Sequence, residues 1–259
     1  MDEARNPRRL VARVRTVVEV LLFALAALLI GFAKTSIGGL ASISIAIFAN
    51  LMPTRESTAA ILLLLLVGDV VAVWHYHRDA DAGLLKRLIT AVIPGLALGA
   101  LFLAVVDDTV LRRSIGVLLL VLAALQLALQ WRGTTDAPPI GHSRRAGAVT
   151  GLAAGFATMT ANAAGPVMTL YLVARGVEKR RFLGTSAVFF FGVNLCKVPF
   201  SAGLGLFNTT TMARTALLAP LVVIGAYAGL HYARRLSQAR FDQAVLAATA
   251  LSAIVLILH

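Results

Sequence analysis

Three charged residues stand inside long apolar stretches of the chain: Lys34, Asp69 and Lys197. A charged side chain at the centre of a bilayer costs at least about 2.5–3.5 kcal/mol on insertion scales, so each is a candidate functional residue. The two lysines would favour a bound anion, and Asp69 would either neutralise a lysine or carry a proton. Two structural alternatives remain open: Lys34 and Asp69 pair with each other, or Lys197 extends its stem to the membrane surface.

Two segments of small and polar residues, 34–39 and 158–166, interrupt long apolar runs. A helix that begins after such a break presents unpaired N–H groups and a partial positive charge, which together attract anions. The alternative is that the small residues only allow close helix packing. We predict a substrate site for an anion, made of Lys34, Thr35, Ser36, Gly38, Gly39, Asp69, Thr158, Thr160, Asn162, Gly165, Asn194 and Lys197.

The composition identifies the elements that must position these residues. Of the 259 residues, 59% are apolar and 14% are charged, whereas soluble domains have roughly 45–50% and about 25%. The apolar residues form long blocks, which predicts an all-α, polytopic helical membrane protein with eight to ten membrane segments. The formal charge of +12 comes from basic clusters between these blocks, as membrane topology requires. The lipid bilayer is thus the expected partner, and nucleic acid is not.

Glycines and prolines recur at one spacing in the two halves of the chain. Gly39 and Gly165, Pro94 and Pro220, and Gly99 and Gly225 are each separated by 126 positions. Gly-rich helices can match by chance, but two similar breaks at the start of the two halves favour duplication. We therefore predict four regions: a basic tail (1–16), membrane repeat 1 (17–130), a polar linker (131–145) and membrane repeat 2 (146–259). Each repeat would begin with a broken or re-entrant helix.

The basic residues also bear on topology. One set of alternating loops holds 13 Lys and Arg residues and the other holds four. The positive-inside rule places the richer set in the cytoplasm, which requires an odd number of crossings in each half and therefore inverted repeats. The basic residues of the N-terminal tail favour the opposite orientation.

Catalytic signatures are weak. The chain has no H-E-x-x-H, G-x-S-x-G or P-loop motif, so we expect neither an enzyme nor a cofactor. His75 and His77 flank Tyr76 near the end of an apolar block, but residues at i and i+2 do not share a helix face. We therefore expect interfacial anchoring and no metal site.

Several motifs together resemble the TauE/SafE-type sulfite exporter family. The first half contributes Gly31-Phe-Ala-Lys-Thr-Ser-Ile-Gly-Gly39, Pro53, Ala59-Ala60, Asp69, His75 and Arg78. The second half contributes Gly155, Gly165-Pro166 and Gly184-Thr185-Ser186, although Asn162-Ala163-Ala164 replaces a run richer in glycine. The resemblance implies a multi-pass exporter in the bacterial inner membrane, with two four-segment repeats, that carries sulfur-containing or carboxylated anions.

The expected function is therefore a secondary transporter that exports a small anion such as sulfite or an organosulfonate. One repeat would rock against the other to alternate access. An inside-negative potential favours anion exit by roughly 2.3 kcal/mol per charge per 100 mV, so protons coupled through Asp69 are compatible with export but not required. An anion channel and an intramembrane enzyme acting on lipid phosphates are the alternatives.

Overall fold

A computed structural model describes residues 7–107, 144–162, 164–173 and 175–237, with isolated positions in 109–121 and 240–247. These residues are α-helical with short turns and contain no strand, so the predicted all-α class is confirmed. Most of the predicted linker and of the apolar blocks 110–129 and 241–258 lies outside the described residues, as do residues 1–6 of the tail.

Eight α-helices lie within the described part of the chain. They are α1 (Pro7–Thr35), α2 (Ala41–Leu51), α3 (Thr54–Tyr76), α4 (Ala82–Val105), α5 (Arg144–Ala161), α6 (Ala164–Val173), α7 (Lys179–Gly203) and α8 (Thr209–Arg235). Among the described residues, five stretches are long and apolar enough to cross a membrane: Thr16–Thr35, Thr54–Asp79, Ala82–Val105, Lys179–Gly203 and Thr209–Arg235. The chain is thus a multi-pass membrane protein, and eight to ten segments stays a prediction.

Helices α1 and α2 pack side by side in opposite directions. The Ser44 hydroxyl donates to the carbonyl oxygen of Ala26 at 2.9 Å, and the rings of Phe23 and Phe48 meet edge to face. Both pairs are centred near position 35, so the chain reverses just after α1 ends. A 3-10 turn, Gly38–Leu40, follows this end and leads into α2.

Glycines bring helices from opposite halves of the chain into backbone contact. Helix α1 packs against α8, where a Cβ at Gly225 would overlap the carbonyl oxygen of Leu28. Helix α4 packs against α5, where a Cβ at Gly95 would overlap the carbonyl oxygen of Leu152. At these positions the small side chain permits the close approach of two helices.

Polar and charged side chains bind the backbone groups at several helix ends. Asp81 accepts from two N–H groups in the first turn of α4, and Asn208 does the same for one N–H of α8. At the other ends, Arg55 donates to carbonyl oxygens in the last turn of α4. Lys179 donates likewise to carbonyls at the end of α8. These contacts satisfy backbone groups that a helix terminus leaves unpaired.

Candidate functional site

A buried ion pair joins the end of α1 to the middle of α3. The Lys34 ammonium lies 2.6 Å from Asp69 Oδ1. The other carboxylate oxygen, Oδ2, accepts a hydrogen bond of 2.7 Å from Asn194 Nδ2 on α7. Asp69 is fully buried, and its two oxygens are held by groups from two different helices. The structure therefore contains the Lys34–Asp69 pair, which was one of the two structural alternatives left open by the sequence.

Two neighbours shape the position of Lys34. A Cβ at Gly68 would lie 3.0 Å from Lys34 Cγ, so the glycine beside Asp69 leaves room for the lysine stem. The ammonium sits 4.6 Å from the centre of the Phe190 ring on α7, a cation–π geometry. The lysine is thus held by a carboxylate and an aromatic face, and the absence of a side chain at Gly68 leaves room for its stem.

Lys197 is the second buried cation, and its contacts are of a different kind. It has no exposed surface on α7, so it does not extend to the membrane surface. Its ammonium donates to Asn162 Oδ1 and to Thr158 Oγ1 at 3.3 Å. Both acceptors are neutral, and a buried charge without a charged partner is costly. The surroundings of Lys197 are therefore suited to a negatively charged ligand.

Asn162 holds the break between α5 and α6. Its φ of 53° lies in the left-handed region, which asparagine tolerates better than most residues. Its N–H donates to the carbonyl oxygen of Thr158, and its Nδ2 donates to that of Thr58 on α3 at 3.2 Å. The side chain thus connects the break to α3 while its oxygen accepts from Lys197.

A cavity of about 50 Å³ lies between these groups. One water requires at least roughly 10–15 Å³ by this measure, so the cavity has room for a few waters or for one small anion. Gly38 and Ala41 line it from the start of α2, and Gly165 lines it from the start of α6. The two breaks are adjacent, because a Cβ at Gly165 would lie 3.6 Å from the Gly38 carbonyl oxygen. Helix N-termini placed in this way favour an anion.

Eight of the twelve predicted site residues line this cavity. They are Lys34, Ser36, Gly38, Asp69, Thr158, Asn162, Gly165 and Asn194. Lys197 lies behind Thr158 and Asn162, and Gly39 lies in the 3-10 turn. Two hydroxyls are engaged elsewhere: Thr35 donates to Ala226 on α8 at 2.7 Å, and Thr160 donates to Phe156 within its own helix at 2.8 Å.

Several residues that line the cavity are not among those singled out in the sequence. Thr169 lies one helical turn after Gly165 in α6, so it shares the same helix face. Ser186 belongs to the Gly184-Thr185-Ser186 motif and also lines the cavity. The apolar side of the cavity comes from Leu65, Phe182, Leu183 and Phe190. Helical spacing could have found Thr169, whereas the apolar residues carry no distinguishing signal.

The described residues contain no group of three or more His, Cys, Asp or Glu side chains able to hold a metal ion. The rings of His75 and His77 each hydrogen-bond a carbonyl oxygen of their own helix, at 2.8 and 2.9 Å. These histidines are thus engaged by backbone oxygens. The lining of the cavity beside Lys34, in contrast, is suited to a charged ligand.

Comparison with known proteins adds one finding. A family model described as "Sulfite exporter TauE/SafE" matches residues 23–256. Searches among curated proteins and among solved structures find no significant match.

Proposed function

Because the chain belongs to the sulfite exporter TauE/SafE family, we propose that it exports a small sulfur-containing anion through the cavity beside Lys34. The resemblance noted from the motifs is confirmed at family level by a match that covers nearly the whole chain. The observation that carries the site assignment is the combination of the nearly buried Lys34 side chain, fully buried Lys197, one buried carboxylate and two adjacent helix N-termini.

The electrostatics of the cavity support an anionic substrate. Asp69 balances the charge of Lys34 at 2.6 Å, whereas the two groups that accept hydrogen bonds from Lys197 are uncharged. An anion in the cavity would supply the missing counter-charge, and the N–H groups at the starts of α2 and α6 would add hydrogen bonds. The Thr158 hydroxyl also lines the cavity and can donate to an anion, because it accepts from Lys197 and its own proton is not used in that bond. The Ser36 hydroxyl lines the cavity too, but it donates to the Phe32 carbonyl oxygen at 2.6 Å.

We also propose that the chain is a duplication with inverted halves, each beginning with a re-entrant hairpin. Contacts support this assignment. Gly31 contacts Val222 on α8, and Gly155 contacts Val92 on α4. The two glycines are 124 positions apart, and the two valines are 130 positions apart. In this register Gly225 corresponds to Gly95 and not, as the offset of 126 suggested, to Gly99. Arg55 and Lys179, also 124 apart, bind the ends of corresponding helices.

A carrier mechanism fits the proposed site better than a channel, because the cavity is small and bordered by ionised groups that would hold the anion. The inside-negative potential of a bacterial inner membrane would drive exit by roughly 2.3 kcal/mol per charge per 100 mV. Export therefore does not require a coupled ion. Proton coupling through Asp69 stays a separate proposal.

The proposal can be tested by counterflow of labelled sulfite in proteoliposomes containing the purified full chain. We expect counterflow by the wild-type protein and its loss in Lys197→Met. The matched control is Lys86→Met, because Lys86 is an exposed lysine on α4 away from the cavity. Absence of sulfite counterflow with folded wild-type protein, or equal activity of both variants, would contradict the proposed site. Single-channel currents carried by sulfite would contradict the carrier mechanism.

A further inference from the structure

Asp69 determines the net charge of the cavity. Among the described residues, the ionisable side chains in and directly behind it are Lys34, Lys197 and Asp69. In their charged forms they carry two positive charges and one negative charge, which is a net charge of +1. Asp69 is not free to turn away, because Lys34 holds one of its oxygens and Asn194 holds the other.

We propose that Asp69 is a specificity-determining residue that makes the cavity select singly charged oxyanions over doubly charged ones of the same size. This inference rests on the proposed transport function. One negative charge on the substrate balances the excess positive charge, whereas a second would be buried without a counter-ion. The two helix N-termini favour both kinds of anion, since each carries only about half of an elementary charge.

The lining of the cavity points in the same direction. Its polar groups, such as Ser36 and Asn162, are accompanied by the apolar side chains of Leu65, Phe182 and Phe190. A doubly charged tetrahedral anion such as sulfate presents oxygen at every corner, and each oxygen requires hydrogen bonds when it is buried. A singly charged sulfonate has one neutral corner, which such an apolar surface can accept.

Methanesulfonate and sulfate provide a matched pair of probes. Both have a tetrahedral sulfur and the same number of non-hydrogen atoms, and they differ by one charge near neutral pH. The measurement is the concentration of each that halves sulfite counterflow in proteoliposomes. The wild-type protein is expected to be inhibited more strongly by methanesulfonate. In Asp69→Asn the ratio should shift toward sulfate by about tenfold or more, because a unit charge a few ångström away acts strongly at a buried site.

Two further variants separate charge from shape. Asp69→Glu keeps the charge and should keep the wild-type ratio. The double variant Lys34→Met/Asp69→Asn again leaves a net charge of +1 and should return the ratio toward the wild-type value. If the ion pair had a purely structural role, the double variant could restore folding. Such a role would not predict the shift in the ratio of methanesulfonate to sulfate inhibition in Asp69→Asn.

Each outcome is informative. If Asp69→Asn transports sulfite with an unchanged ratio, or if wild type prefers sulfate, the charge-selection proposal is wrong while the transport proposal stands. If wild type shows no counterflow, both fail. If Asp69→Asn does not fold, Asn162→Asp tests the opposite change: it lowers the cavity charge by one and must shift the ratio further toward methanesulfonate. An unchanged ratio there would refute the proposal.

Discussion

Replacing Asn162 by aspartate would place a carboxylate against the Lys197 ammonium. In the structure, the side-chain oxygen of Asn162 already accepts a hydrogen bond from this ammonium. The substitution changes neither the size of the side chain nor its tolerance of the left-handed backbone at φ 53°. Its main effect is therefore to supply Lys197 with a permanent internal counter-ion, in competition with any anion in the cavity.

The size of this effect follows from Coulomb's law. Two unit charges 4 Å apart interact by about 4 kcal/mol at an effective dielectric constant of 20. Every 1.4 kcal/mol corresponds to about a tenfold change in affinity, so full competition would approach a thousandfold. At the proposed site the substrate would lie in the cavity in front of Lys197 and not on the ammonium itself, so the expected loss is smaller than this limit. We expect Asn162→Asp to weaken sulfite affinity by about a hundredfold.

The control variant must share the other consequence of the substitution, which is the loss of a hydrogen bond. Aspartate cannot donate to the Thr58 carbonyl oxygen as Asn162 Nδ2 does, and the loss of one such bond costs about 0.5–1.5 kcal/mol. Asn162→Gly loses the same bond and also the oxygen that accepts from Lys197, keeps the left-handed backbone without strain and leaves the charge unchanged. Concentration-dependent sulfite counterflow should therefore decline much less in Asn162→Gly than in Asn162→Asp. Equal activities of the two variants would refute the assignment of Lys197 as the cation that attracts the substrate.

Two other predictions concern the ion pair and the helix contacts. Lys34→Met leaves Asp69 buried without its cation, so we expect loss of sulfite counterflow and destabilisation by about 3–5 kcal/mol, measured by thermal unfolding in detergent; an unchanged melting temperature would contradict the contribution of the pair. Gly225→Ala places a Cβ on the backbone of Leu28 and should separate α1 from α8, lowering the melting temperature. Gly192→Ala in α7 meets nothing within 4 Å and should stabilise the helix by roughly 0.5–1 kcal/mol; similar losses in both glycine variants would argue against the close contact.

The sequence was sufficient to predict the helical membrane class and most of the polar residues that line the cavity. Long apolar blocks admit little except membrane helices, and Lys34, Asp69 and Lys197 stood out because ionised groups inside such blocks are costly. The breaks could be recognised because glycine and asparagine concentrate where a helix ends. These signals are local in the chain, so they can be read without knowing which helices meet.

The partners of each residue could not be predicted, because they depend on packing between distant segments. Thr35 lies within the first break but donates to Ala226, 191 positions away, and so leaves the cavity. The contact of Asn162 with Lys197 requires α7 to pass beside the second break. The offset of 126 also illustrates this limit. Gly99 and Gly225 match in the sequence, but the helix that each of them contacts is visible only in three dimensions.

The interlocking of the two halves constrains how access to the cavity could alternate. Helix α1 contacts α8 through backbone-level packing at Gly225, and α5 contacts α4 in the same way at Gly95. Rocking one sequence half against the other would have to separate both pairs of helices. The polar contacts between the two breaks and the other helices are of a different kind. Lys34 joins the first break to α3, and Asn162 joins the second break to α3 and α7. A movement that keeps α1 with α8 and α4 with α5 preserves the tight contacts at Gly225 and Gly95 and can change these polar contacts. An anion in the cavity would attract the Lys197 ammonium and so weaken its bonds to Thr158 and Asn162. Binding and movement would then be coupled at this ammonium.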